Sequence, residues 1–133
     1  MARDFDVAEI AHMCGTAETL SLRPGEFLFR EGDDAHAMYV VLKGVLRVLS
    51  GSTVYETLRE GSVVGEMAII DEETRSASVI AGTHAELLEI DQDKFLSLVA
   101  GNPSFALTVM HVIARRLRIM NRRYRQTEHA AFG

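Results

Sequence analysis

Ala37-Met38-Tyr39-Val40-Val41-Leu42-Lys43-Gly44-Val45-Leu46-Arg47-Val48-Leu49-Ser50-Gly51-Ser52-Thr53-Val54-Tyr55-Glu56-Thr57-Leu58 is the stretch that decides the fold class of this chain. Residues 37–43, 45–49 and 53–58 are rich in β-branched and aromatic side chains, and Lys43-Gly44 and Ser50-Gly51-Ser52 interrupt them with residues that suit tight turns. Outward from this core, residues 19–22, 27–30, 76–81 and 85–91 read the same way. They are separated by Arg23-Pro24-Gly25, Glu31-Gly32-Asp33-Asp34 and Glu60-Gly61, whose residues either preset φ or tolerate positive φ. About seven or eight short strands in this spacing are the count of an antiparallel jelly roll, a double-stranded β-helix. The expected fold is mainly β with flanking helices.

Those helices lie at either end. Residues 5–13 carry apolar side chains at Phe5, Val7, Ala8, Ile10, Ala11 and Met13 behind Asp4 as a cap, which predicts a short N-terminal helix. Asp91 or Asp93 is the expected cap of a second helix over 94–100, with Gly101-Asn102-Pro103 closing it and opening the next. From there Ala106, Met110, Ile113, Leu117, Met120 and Tyr124 recur at alternating spacings of four and three, a heptad seam along a long C-terminal helix. Such a stripe can pack on its own domain. A small β domain leaves little core for so long a helix to cover, so Met110, Ile113, Leu117, Met120 and Tyr124 are expected to form a homodimer contact. Residues 127–133 are expected to fray.

With 133 residues, 47% hydrophobic and 25% charged, the chain has room for one core, and 1–133 reads as a single domain. Within it, 5–18 is the N-terminal helix and turn, 19–91 the β-roll and 92–126 the C-terminal helices. Cys14 is alone, which excludes an intrachain disulfide and fits a reducing compartment. The N-terminus lacks the basic and apolar regions of a secretory signal, so a cytoplasmic location is expected. The near-apolar run 37–42 is far short of the ~20 residues that span a bilayer.

The net charge of −5 hides a division: residues 1–110 hold 8 Lys and Arg against 18 Asp and Glu, whereas 111–133 hold 6 Arg against Glu128. The first part sums to −10 and the second to +5. An asymmetry of this kind points to a segment that docks on a polyanion or a partner.

Val64-Gly65-Glu66-Met67-Ala68-Ile69-Ile70-Asp71-Glu72-Glu73-Thr74-Arg75-Ser76-Ala77-Ser78-Val79 carries the chemistry. Gly65 lets the backbone approach a ligand, and Glu66-Met67-Ala68 can form a helical turn whose N–H groups face an anion. The planar fork of Arg75 suits phosphate, and Ser76 adds a hydroxyl donor. Glu66 needs a donor, such as a sugar hydroxyl. Together these residues suggest a ligand that offers both a ribose hydroxyl and a phosphate; a plain ion pair between Glu66 and Arg75 is the alternative.

At these residues the sequence resembles the cyclic nucleotide-binding domain, the family of the bacterial catabolite activator, the regulatory subunits of cAMP-dependent kinase and nucleotide-gated channels. Gly65-Glu66-Met67-Ala68 through Arg75-Ser76-Ala77 matches the family's phosphate-binding cassette, placed here at 64–79. The turns at Pro24-Gly25-Glu26, Arg30-Glu31-Gly32-Asp33 and Gly61-Ser62-Val63-Val64-Gly65 are similar, and Ala114-Arg115-Arg116-Leu117 resembles the activator's long helix. The resemblance implies that Glu66 accepts from the ribose 2′-hydroxyl and Arg75 pairs with the exocyclic phosphate oxygens. Val64, Gly65, Met67, Ala68, Ser76 and Ala77 would complete the site. Met120 and Asn121 stand where the activator contacts the base; Asn serves either purine, so adenine and guanine both stay open, and cAMP is the favoured ligand.

The resemblance also implies a regulatory module and not an enzyme. The transcription factors of the family carry a helix-turn-helix after the long helix, where this sequence stops, so direct reading of DNA is not expected and a stand-alone receptor acting on an effector protein is. His12, His36, His84, His111 and His129 show no metal-ligand spacing, and neither a metal nor a metal-dependent cupin enzyme is expected. From a different class, the Arg-rich helix could serve as a scaffold or docking module on an acidic protein or nucleic acid.

Overall fold

The computed structural model describes residues 5–15, 18–71 and 74–132, with side chains described as far as Arg122. The first helix, α1 (Val7–Cys14), is capped by Asp6, whose carboxylate accepts the Glu9 N–H at 3.0 Å. Asp4, the expected cap, lies outside the described residues. The helix starts after Phe5 because that residue belongs to the core. Its ring stacks on Phe105 at 5.3 Å and its N–H donates to the Gly61 carbonyl at 2.9 Å.

Eight strands and two short helices follow in the order β1 (Thr19–Leu22), β2 (Phe27–Phe29), β3 (Ala37–Lys43), β4 (Leu46–Ser50), β5 (Thr53–Leu58), β6 (Val63–Val64), α2 (Met67–Ile70), β7 (Ser78–Ala81), β8 (Ala85–Asp91) and α3 (Gln92–Gly101). They form two four-stranded antiparallel sheets, β1-β8-β3-β6 and β2-β7-β4-β5, the expected jelly roll. β6 is too short to show a period, and its register, Tyr39↔Val64 and Val40↔Val63, is set by β3. β7 begins at 78 and not at 76 because the backbone before it is used elsewhere. Arg75 donates its N–H to the Asp33 carbonyl at 2.8 Å and accepts the Gly32 N–H at 2.8 Å.

The first sheet is covered on both faces, so β3 and β8 read as nearly continuous apolar runs. Val41, Ala85 and Leu87 face the second sheet, in a cluster with Leu46, Val48, Leu58 and Val79. Met38, Val40, Leu88 and Ile90 face the helices, in a cluster with Ile10, Leu98, Phe105, Val109 and Val112. β3 and β6 are buried where the chain leaves β6 for α2.

Asp91 caps α3, its carboxylate accepting the Lys94 N–H at 2.8 Å. The last helix, α4, spans Ser104–Phe132. The fraying expected over 127–133 is not what the backbone does up to Phe132. No Gly or Pro interrupts residues 104–132, and Ala130-Ala131 favour helix. Phe105, Val109 and Val112 are buried and form the packing stripe of α4. Leu107, Met110, Leu117 and Met120 are exposed and form a second stripe, while Ala106 and Ile113 are half-buried between the two. The side chain of Tyr124 lies outside the described residues.

Candidate ligand-binding site

Gly65 carries the chain out of β6 at φ 76°, a conformation that L side chains rarely adopt. A Cβ there would stand 2.5 Å from Arg75 Nη1, so glycine suits the angle and leaves the Arg75 guanidinium its place. The turn that follows closes on itself: Ala68 N–H donates to the Gly65 carbonyl at 3.2 Å and Ile69 N–H to the Glu66 carbonyl at 3.1 Å. The Ala68 N–H, expected to face an anion, is thus engaged within the cassette. Val64, Ala68 and Ala77 are buried, whereas Met67 and Ser76 are exposed.

Arg75 is only 7% exposed. Nη2 donates to the Ala37 carbonyl at 2.7 Å and Nη1 to the Gly65 carbonyl at 3.2 Å. The guanidinium lies 4.0 Å from the centre of the Phe29 ring and 5.9 Å from that of Tyr39. Among the described residues no carboxylate lies at ion-pair distance from it, and its Nε is buried without a hydrogen-bond partner. Burial pulls its pKa down, and nearby Tyr39, Asp33 and Glu66 oppose that. Burial also pushes the Tyr39 phenol up, with Glu89 acting in the same direction and Arg75 against it. A buried cation is costly unless it is paired, and here two backbone carbonyls and the Phe29 ring are its described neighbours.

Glu66 is 5% exposed, and its partner is Arg116 from α4. Arg116 Nη1 donates to Glu66 Oε1 at 2.6 Å, and Nη2 donates to the Val63 carbonyl. Arg116 Nε stands 3.8 Å from Glu56 Oε1 on β5. The ion pair weighed from sequence, Glu66 with Arg75, is therefore replaced by one between the cassette and the C-terminal helix. Met120 and Asn121 stand exposed about one turn further along α4, and Arg116 reaches the cassette from that helix. Sequence reasoning missed both Arg116 and Glu56. The signal for Arg116 is the buried stripe itself: 105, 109 and 112 continue to 116 at helical spacing.

A cleft of about 400 Å³ with Asp34, His36, Asp91 and Asp93 among its lining residues shares only Ala68 with this site. Among the described residues there is no cluster of His, Cys, Asp or Glu able to hold a metal, and no helix long and apolar enough to cross a membrane.

Residues 19–102 match the family model described as the cyclic nucleotide-binding domain. The chain belongs to that family. Among solved structures, the cyclic nucleotide-binding fold here is similar to that of the Thermus thermophilus catabolite activator protein, with a TM-score of 0.81 and 28% identity over 91% of this chain and 59% of that one. It is also similar to the N-terminal domain of a transcriptional regulator from Streptomyces coelicolor A3(2), with a TM-score of 0.65 and 26% identity over 86% of this chain and 81% of that one. A curated relative, lysophospholipase NTE1 of Chaetomium globosum, is 30% identical over 116 residues, which are 84% of this chain. The matched segment spans 8% of the length of that lysophospholipase, so the likeness concerns one part of a much longer protein.

Proposed function

We propose that this domain is a regulatory receptor for a cyclic purine nucleotide, with cAMP favoured over cGMP. The observation that carries the reading is Arg75, a buried guanidinium without a carboxylate partner among the described residues, packed against Gly65 at the head of the cassette. Arg75 takes the exocyclic phosphate oxygens, and Ser76 and the backbone of Gly65 and Met67 complete the phosphate contacts. Glu66, oriented by Arg116, accepts from the 2′-hydroxyl, the only free ribose hydroxyl when one phosphate bridges the 3′ and 5′ oxygens. Val64, Ala68 and Ala77 back the pocket with apolar surface. Calorimetric titration with cAMP and cGMP tests the reading: saturable one-to-one binding is expected for at least one, and no heat with either overturns it.

Because Arg116 joins the cassette to α4, ligand binding is expected to bias the position of that helix. A ligand moves such an equilibrium only through different affinities for the two arrangements, and Glu66 supplies the difference by touching both ribose and Arg116. The exposed stripe of Leu107, Met110, Leu117 and Met120 then transmits the change, and we propose that a second copy of this chain covers it as a homodimer. Leu117→Glu places a charge on the stripe. The variant is expected to sediment as a monomer where the parent sediments as a dimer, with its melting temperature as a monomer little changed because Leu117 is 56% exposed. A parent protein that is monomeric both with and without nucleotide removes this part.

A further inference from the structure

We propose that α4 carries a docking face for a partner protein, a row of arginines that takes an acidic α-helix whose carboxylates repeat every three or four residues. At 3.6 residues per turn α4 divides into three faces about 120° apart. Phe105, Val109 and Val112 are buried against the β-roll, and Arg116 continues their face to Glu66. Met110, Leu117 and Met120 form the exposed apolar face. His111, Arg115, Arg118 and Arg122 form the third, at spacings of four, three and four, and Arg125 continues the spacing in the sequence. This row lies away from the β-roll and from the apolar face, so a second copy seated on Met110, Leu117 and Met120 leaves it open.

The row lacks a counter-charge on its own helix. From Ser104 to Thr127 there is no Asp or Glu, and like charges three and four residues apart repel one another on a helix surface. Arg118 and Arg122 are exposed, and among the described residues neither has a carboxylate at ion-pair distance. Charge complementarity calls for an anionic partner, and the shape of the row decides which. Successive cations are 3.5 residues apart on average, about 5 Å along the axis, in a nearly straight line. A second helix presents carboxylates with the same period and pairs with them one for one, as flanking charges do in coiled coils. The phosphates of a duplex wind around its axis, and an anionic membrane is a plane. Either extends past the row toward the rest of the chain, where residues 1–110 hold 8 Lys and Arg against 18 Asp and Glu and repel it. A short acidic helix meets the row alone.

The test titrates the whole chain, without cyclic nucleotide, into two fluorescently labelled helical peptides of one composition and reads their anisotropy. The first carries Glu at alternating spacings of four and three on one face; the second scatters the same Glu residues around the helix. The first is expected to bind about tenfold more tightly, the worth of about three exposed ion pairs, and to weaken as salt is added. Replacing both Arg118→Glu and Arg122→Glu is expected to cost at least about tenfold in affinity for that peptide. The same variant is expected to gain binding of a peptide with Lys in place of Glu. Its melting temperature should be no lower than the parent's and its sedimentation the same, because both side chains are exposed and off the apolar face. Equal affinity for the two Glu peptides overturns the proposal, as does no binding of the first or unchanged binding by the variant. Tighter binding of a duplex oligonucleotide or of phosphatidylserine vesicles than of the first peptide also overturns it, and assigns the row to nucleic acid or to a lipid surface. With no nucleotide in the titration, none of these results bears on the ligand reading of the cassette.

Discussion

Arg75→Met is expected to weaken cyclic nucleotide binding by at least 30-fold. Truncating one partner of a desolvated charge pair typically costs about 2–5 kcal/mol, and about 1.4 kcal/mol is a factor of ten in affinity. The fold is expected to survive. Methionine keeps an unbranched stem and a polarisable group against Phe29, which lies 4.0 Å from the guanidinium. Two hydrogen bonds to the Ala37 and Gly65 carbonyls are lost, but so is a buried cation that no described carboxylate neutralises. The ligand-free variant should therefore melt within a few degrees of the parent. Added nucleotide should raise the melting temperature of the parent and leave that of the variant unchanged, since a ligand stabilises only what it binds. A variant that binds as tightly as the parent would show that the phosphate sits elsewhere.

Arg116→Ala is expected to lower the unfolding free energy by roughly 3 kcal/mol, because it leaves the Glu66 carboxylate, 5% exposed, without its charge partner. The reverse change is milder. In Glu66→Gln the amide oxygen still accepts from Arg116 Nη1, and the guanidinium keeps the Val63 carbonyl and Glu56 as neighbours. The Arg116 side chain is also 21% exposed and reaches solvent. Combining Glu66→Gln with Arg116→Ala is expected to recover most of the loss, since the buried charge is gone with its partner. Denaturant unfolding of the four proteins gives the coupling directly. If the single and double variants prove additive, Arg116 does not hold Glu66. On the proposed binding mode, nucleotide affinity should fall in Arg116→Ala as well, because Glu66 is no longer oriented toward the ribose.

Much of this protein is legible in its sequence. Strands β1, β3, β5 and β8 begin and end where alternation and turn glycines place them, because those signals act over a few residues. The cassette was legible for the same reason: Gly65, Glu66, Arg75 and Ser76 lie within a dozen residues and their chemistry follows from type and order. The heptad seam was visible too, but its role was divided by packing. Phe105, Val109 and Val112 took the face toward the β-roll and left Leu107, Met110, Leu117 and Met120 to solvent.

What only the tertiary structure decided are the contacts between residues far apart in the chain. Arg116 and Glu66 are separated by 50 positions, and no periodicity links a helix face to a turn on another element. Their meeting depends on the rotation of α4, which is set by how deeply Phe105 seats between Phe5 and Phe95. Glu56 is a second case. Its strand was read correctly, yet which of its alternate faces points inward is decided by the pairing with β4, where Glu56 faces Val48. The sequence alone determined the fold class and singled out the residues of the cassette, because local patterning carries both. The ion pair that holds the Glu66 carboxylate, and the Glu56 carboxylate on the inner wall beyond it, came from strand register and helix packing.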